Sequence, residues 1–131
     1  MKQSKPITVT GWVISGLVGA FMLFGAIMKI MKPEQVIEGF QKFGFDESQI
    51  TPIAVTELLV TIIYLIPRTA PLGAILLTGY LGGAIATHVR AGDGQFYMPA
   101  LIAVVAWIAL YLRMPKLRAL VSILKPLSSN N

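Results

Sequence analysis

Two side chains stand where ionisable groups are costly. Glu57 is the single charge in the 20 residues Ser48–Pro67, and His88, the only histidine, follows the 19 uncharged residues Thr69–Thr87. An acid inside an apolar span faces a bundle interior or a cavity, and by default it marks a proton path or a ligand site. Thr61, Tyr64 and Arg68 follow Glu57 at i+4, i+7 and i+11, which sets all four on one polar face of a helix. Glu57 therefore suits a proton-exchanging or ligand-binding group, and it equally suits a packing group hydrogen-bonded across helices. His88 suits a proton relay or a hydrogen bond to a ligand carbonyl; a polar end-cap at the membrane surface is the other reading. Arg90 and Asp93 either extend this polar cluster outward or serve as an interfacial anchor and a turn residue. The catalytic candidates are thus Glu57 and His88, and the ligand-binding candidates are Glu57, Thr61, Tyr64, His88 and Arg90.

Composition removes several other chemistries. The chain has no cysteine, so it carries no disulfide, thiol relay or Cys-ligated cluster of its own. One histidine and no cysteine argue against a metal site built from protein ligands alone, zinc or haem. The net charge of +5 and pI near 9.8 do not point to nucleic acid, because the basic residues lie between apolar runs rather than in a patch interleaved with aromatics. The six methionines and the aromatics Trp12, Tyr97, Trp107 and Tyr111 read as core packing or interfacial belt before any cofactor cage.

The elements that must position these residues are membrane helices. Hydrophobic residues make up 55% and charged residues 13% of 131, with a mean hydropathy of +0.71. Soluble domains carry about 25% charged residues. A bilayer core about 30 Å thick takes roughly 20 helical residues. Uncharged or nearly uncharged runs place spans over about 6–29, 49–67, 70–89 and 95–112. The first is too long for a signal-peptide core and is read as a retained span. Between the first two, 33–43 alternates Val36, Ile37, Phe40 and Phe43 with charged residues, the pattern of a short amphipathic interfacial helix. The polar end Ser128–Asn131 is expected to fray. The fold class is all-α, an integral membrane four-helix bundle with a short amphipathic helix between spans 1 and 2, in a single domain over 1–131.

Small residues recur four apart in the third span, as Ala70, Ala74, Thr78, Gly82 and Ala86, with Gly79, Gly83 and Thr87 beside them. Such stripes let helices approach closely in lipid. The third helix is expected to contact two others through this stripe, so that leucine at Gly82 or Ala86 forces backbones apart. Charge sets the orientation. With four spans, one side holds Lys2, Lys5, Arg68, Arg113, Lys116, Arg118 and Lys125 and no acid; the other holds Lys29, Lys32, Lys42 and Arg90 among five acids. Basic residues favour the cytoplasm, so both termini are expected there. Glu57 then lies roughly 13 Å along the second span at 1.5 Å per residue, in the same outer half as His88. The two are expected to share a pocket between the second and third helices.

The stretch YLIPRTAPLGAILLTGYLGGAIATHVRAGDG (64–94), with KPEQVIEGFQKFGF, the Glu of TELL and LYLRMPKLRAL, closely resembles the DoxX-like family of small bacterial membrane proteins. The resemblance implies a four-helix membrane bundle in the bacterial inner membrane and a link to quinone-coupled redox systems. Relatives often carry an acid near the end of the first span, in a pattern like LFDGVMK; this chain has Gly25 there. Three readings remain open: an accessory or anchor subunit of a quinone-linked redox system; a small enzyme or transporter for a lipophilic or protonatable molecule with Glu57 as proton carrier; and a structural or chaperone-like protein without chemistry. Quinone is the cofactor the first of these implies. Membrane lipids, a redox partner protein and a second copy of the chain are the candidate partners.

Overall fold

The computed structural model describes residues 5–123, and the expected frayed end Ser128–Asn131 lies outside them. Among the described residues six helices follow one another: α1 (Lys5–Met31), α2 (Glu34–Lys42), α3 (Ile50–Leu65), α4 (Ala70–Ala91), α5 (Tyr97–Arg113) and α6 (Pro115–Ile123). A single 3-10 turn, Glu47–Gln49, leads into α3; Asp46 caps it by accepting from the Ser48 backbone N–H, and the Gln49 side chain answers on the Asp46 N–H. That reciprocal cap settles backbone donors at a helix start. It also holds the Asp46 carboxyl below its ordinary pKa, chiefly through the Ser48 hydroxyl.

The four long helices form a ring. α1 and α4 stand diagonally, each packed against α3 and α5. α1, the segment Glu47–Leu65 and α4 are each long and apolar enough to cross a membrane. α5 has 17 residues and joins α6 across Met114 at a bend of 102°. Met114 is extended and Pro115 cannot continue α5, because it offers no backbone N–H. The reading of the sequence assigned no helix after span 4; α6 is an addition. α2 matches the expected amphipathic helix within a residue at each end, and none of its residues is buried. Left-handed backbone at Lys32 (φ 51°) and Gly44 (φ 86°) turns the chain into and out of it.

At the end of the bundle where α1 begins, Arg113 is buried, donates from Nη2 to the Tyr64 carbonyl, and lies 4.6 Å from the ring centres of both Trp12 and Tyr64. Its Nε and Nη1 meet no hydrogen-bond partner among the described residues, and the two π faces take the charge in their place. Tyr64 itself donates to the Ala106 carbonyl at 2.7 Å and lies 3.4 Å from the Ser15 hydroxyl. This cluster ties α1, α3 and α5 together.

The small-residue stripe of α4 is a correction. Helix α4 does pack on two helices, but through Ala70, Gly73, Ala74, Leu77 and Leu81. Gly82 and Ala86 are exposed, and a Cβ added at Gly82 would meet nothing within 4 Å. Residues four apart drift by about 40° around a helix of 3.6 residues per turn. A five-member stripe therefore winds from the packed face at Ala70 to the lipid-facing side at Ala86. The buried set instead falls at i, i+3, i+4, i+7 and i+11 from Ala70.

Candidate functional site

Helix α3 runs back antiparallel to α1, so Glu57, two turns into α3, comes level with the last turns of α1. There the Lys29 ammonium donates to Glu57 Oε2 at 2.5 Å. From α4, the Tyr80 hydroxyl donates to the same oxygen at 2.9 Å, and Lys29 Nζ lies 3.4 Å from the Tyr80 oxygen. The Glu57 side chain is 4% exposed and that of Lys29 23%. A buried carboxylate needs a charge partner and hydrogen bonds, and Glu57 has both. Gly25 makes the room: a Cβ there would stand 3.0 Å from Glu57 Oε1. Three helices of the ring thus meet in one ion-paired triad.

Beside the triad lies a cavity of about 480 Å³. Tyr80 and Lys29 supply its polar side, Gly79 and Gly83 leave bare helix backbone along α4, and Phe40, Phe43 and Phe45 close it from α2 and the loop after it. Its size and mostly apolar wall suit a bound organic molecule, for which pockets span about 300–1,000 Å³. His88 stands at its edge. Its Nδ1 is 2.7 Å from Asp93 Oδ2, and its ring meets Phe43 edge-on at 5.0 Å. An ionised carboxylate only accepts, so Nδ1 carries the proton in that bond. Asp93 also accepts from the Gln95 backbone N–H, and this bond first, then His88, holds its carboxyl below the usual value. His88 therefore links α4, the turn after it and the end of α2.

The sequence candidates take different partners. Glu57 binds Lys29 and Tyr80, and His88 binds Asp93; the cavity wall includes His88, while Glu57 sits behind Lys29 and Tyr80. Thr61 turns its hydroxyl onto the Glu57 backbone carbonyl at 2.6 Å, and Tyr64 belongs to the Arg113 cluster at the far end. Arg68 and Arg90 are exposed. Lys29 and Tyr80 were not among the candidates. Lys29 read as a flanking charge at the end of the first span, yet a lysine at the end of one span is the natural counter-charge for an acid within the antiparallel next one. Among the described residues no group of three or more His, Cys, Asp or Glu stands together as a metal site.

A family model described as the DoxX-like family matches residues 13–109. No curated protein and no solved structure matches the chain.

Proposed function

This chain belongs to the DoxX-like family, and on that premise we propose that it is an accessory membrane subunit binding a lipophilic carbonyl compound, a quinone of a membrane redox system, in the cavity beside Tyr80. One observation carries the reading: an aromatic-walled cavity meets the Lys29–Glu57–Tyr80 triad on its polar side. An ammonium has three N–H donors. Glu57 and Tyr80 engage two in the triad, which leaves one for an acceptor in the cavity. Lys29 and Glu57 cancel in charge, so the head group that fits is a neutral acceptor such as a ring carbonyl. The phenylalanines offer edges and faces to a flat ring. Because the Glu57 carboxylate is committed to two donors, this geometry favours ligand binding over a mobile proton carrier. The charged side of α2, with Glu34, Glu38 and Lys42 exposed, is the surface for a soluble redox partner.

The protein reconstituted in nanodiscs is expected to bind a tailless benzoquinone in titration calorimetry. Gly83→Leu is expected to weaken that binding about tenfold, a loss of about 1.4 kcal/mol, with the unfolding midpoint unchanged, since a Cβ at Gly83 meets nothing within 4 Å. Absence of binding by the native chain, or equal binding by Gly83→Leu, removes the proposal.

The proposed location is a bacterial inner membrane with both termini cytoplasmic, supported by Lys5, Arg68, Arg113, Lys116 and Arg118 and no acid, among the described residues, at the end of the bundle where α1 begins. Reporter fusions after residue 131 and in the Gly92–Gly94 turn are expected to report opposite sides, with the C-terminal fusion inside. A C-terminal fusion reporting outside reverses the orientation and puts the triad in the inner half.

A further inference from the structure

A second cavity, of about 380 Å³, opens between α1 and α2. It shares Lys29, Phe40 and Phe43 with the first, so the two adjoin along these side chains. Its own walls are Phe21, Phe24, Met28, Val36 and Gly39, and Lys29 is its only polar side chain. Phe21 and Phe24 are largely exposed on the lipid side of α1. The chemistry therefore grades in one direction: hydrogen-bonding groups at Tyr80 and Lys29, aromatic rings at Phe40 and Phe43, then hydrocarbon alone out to the bilayer. The gap exists because α2 stands off the bundle on the left-handed turns at Lys32 and Gly44 and buries none of its own residues.

We propose that the second cavity is a tail subsite, so that the two cavities together take one single-chain amphiphile. Its neutral carbonyl-bearing ring lies beside Tyr80, and its long hydrocarbon tail passes under Phe40 and Phe43 between α1 and α2. This rests on the head-group reading above and narrows its ligand to a long-tailed class. Lipid is as apolar as this cavity, so the tail gains packing and orientation more than affinity. The subsite is read by where the tail lies rather than by how tightly the ligand binds.

The test is photolabelling in nanodiscs with a long-chain quinone carrying a diazirine midway along its tail, followed by peptide mapping. Labels are expected on residues 21–28 and 36–40. They are expected to disappear when excess tailless benzoquinone displaces the head. Gly39→Trp is expected to remove the label while tailless quinone still binds as in the native chain; a Cβ at Gly39 meets nothing within 4 Å, so the fold tolerates the start of that side chain. Labels on the lipid faces of α4 or α5 overturn the tail subsite and leave the head site standing. Labels at 21–28 that persist under the tailless competitor identify an ordinary bilayer lipid chain and also overturn it. Failure of the tailless quinone to bind the native chain removes the head site and the tail subsite together.

Discussion

Glu57→Leu is expected to lower the unfolding free energy of the bundle in detergent by about 3 kcal/mol, the lower end of what is lost when one partner of a buried ion pair is removed. The reason is the group left behind. Lys29 is about three-quarters enclosed, with its ammonium set against Glu57 Oε2 at 2.5 Å, and leucine gives it nothing to meet. The Tyr80 hydroxyl loses its acceptor at the same time. Lys29→Met is expected to be comparably harmful. The double variant Lys29→Met, Glu57→Leu is expected to recover most of the loss, because two apolar side chains replace a pair whose desolvation had offset much of its attraction. Glu57→Gln falls between them, since an amide oxygen still accepts from Lys29 and Tyr80 while the positive charge stays uncompensated. Denaturant unfolding of the four species gives a double-mutant cycle. A coupling energy near zero would mean that Lys29 turns to water on its own and that the pair contributes nothing.

Gly73→Ala is expected to disrupt the bundle outright, and Gly11→Ala to do nearly as much. At Gly73 a Cβ would stand inside 3.0 Å of the backbone of Tyr64 and Ile63, and at Gly11 inside 3.0 Å of the backbone of Leu112 and Arg113. Backbone cannot rotate out of the way as a side chain can, so the α3–α4 and α1–α5 contacts have to separate. Overpacking of a close-packed interior costs about 1–3 kcal/mol where side chains absorb it, and more where backbones must move. Gly19→Ala meets only the Leu65 side chain and is expected to be milder. Gly82→Ala, which meets nothing within 4 Å, is expected to stay within about 0.5 kcal/mol of the native chain. Thermal unfolding of the four variants in one detergent checks the order. If Gly82→Ala falls as far as Gly73→Ala, the rotation of α4 assigned here is wrong.

Much of the architecture was legible in the residues themselves. Span lengths, the short amphipathic helix after Lys32 and the turns at Pro67–Pro71 and Gly92–Gly94 are local properties of hydropathy, proline and glycine, and the helices follow them within a few residues. The special standing of Glu57 was legible for the same reason, as a charge is conspicuous in an apolar run.

What the sequence by itself determined is therefore the object: a bundle of membrane helices with one acid inside it and one histidine near its end. The tertiary structure alone decided which faces meet and who answers the acid. In water, an inward helix face announces itself by being more apolar than the outward one. In lipid both faces are apolar: Phe21, Phe24, Leu59 and Leu101 are exposed while Met22, Val60 and Ala106 are buried, and no periodic contrast separates the two sets. Small-residue spacing was the remaining cue, and it fitted two faces of α4 equally well. The Glu57 partners sit 28 positions before it and 23 after it, on two other helices. Only the axial register and rotation of three packed helices bring Lys29, Glu57 and Tyr80 to one level, because spacing along a single helix fixes a face but not the neighbour that face will find.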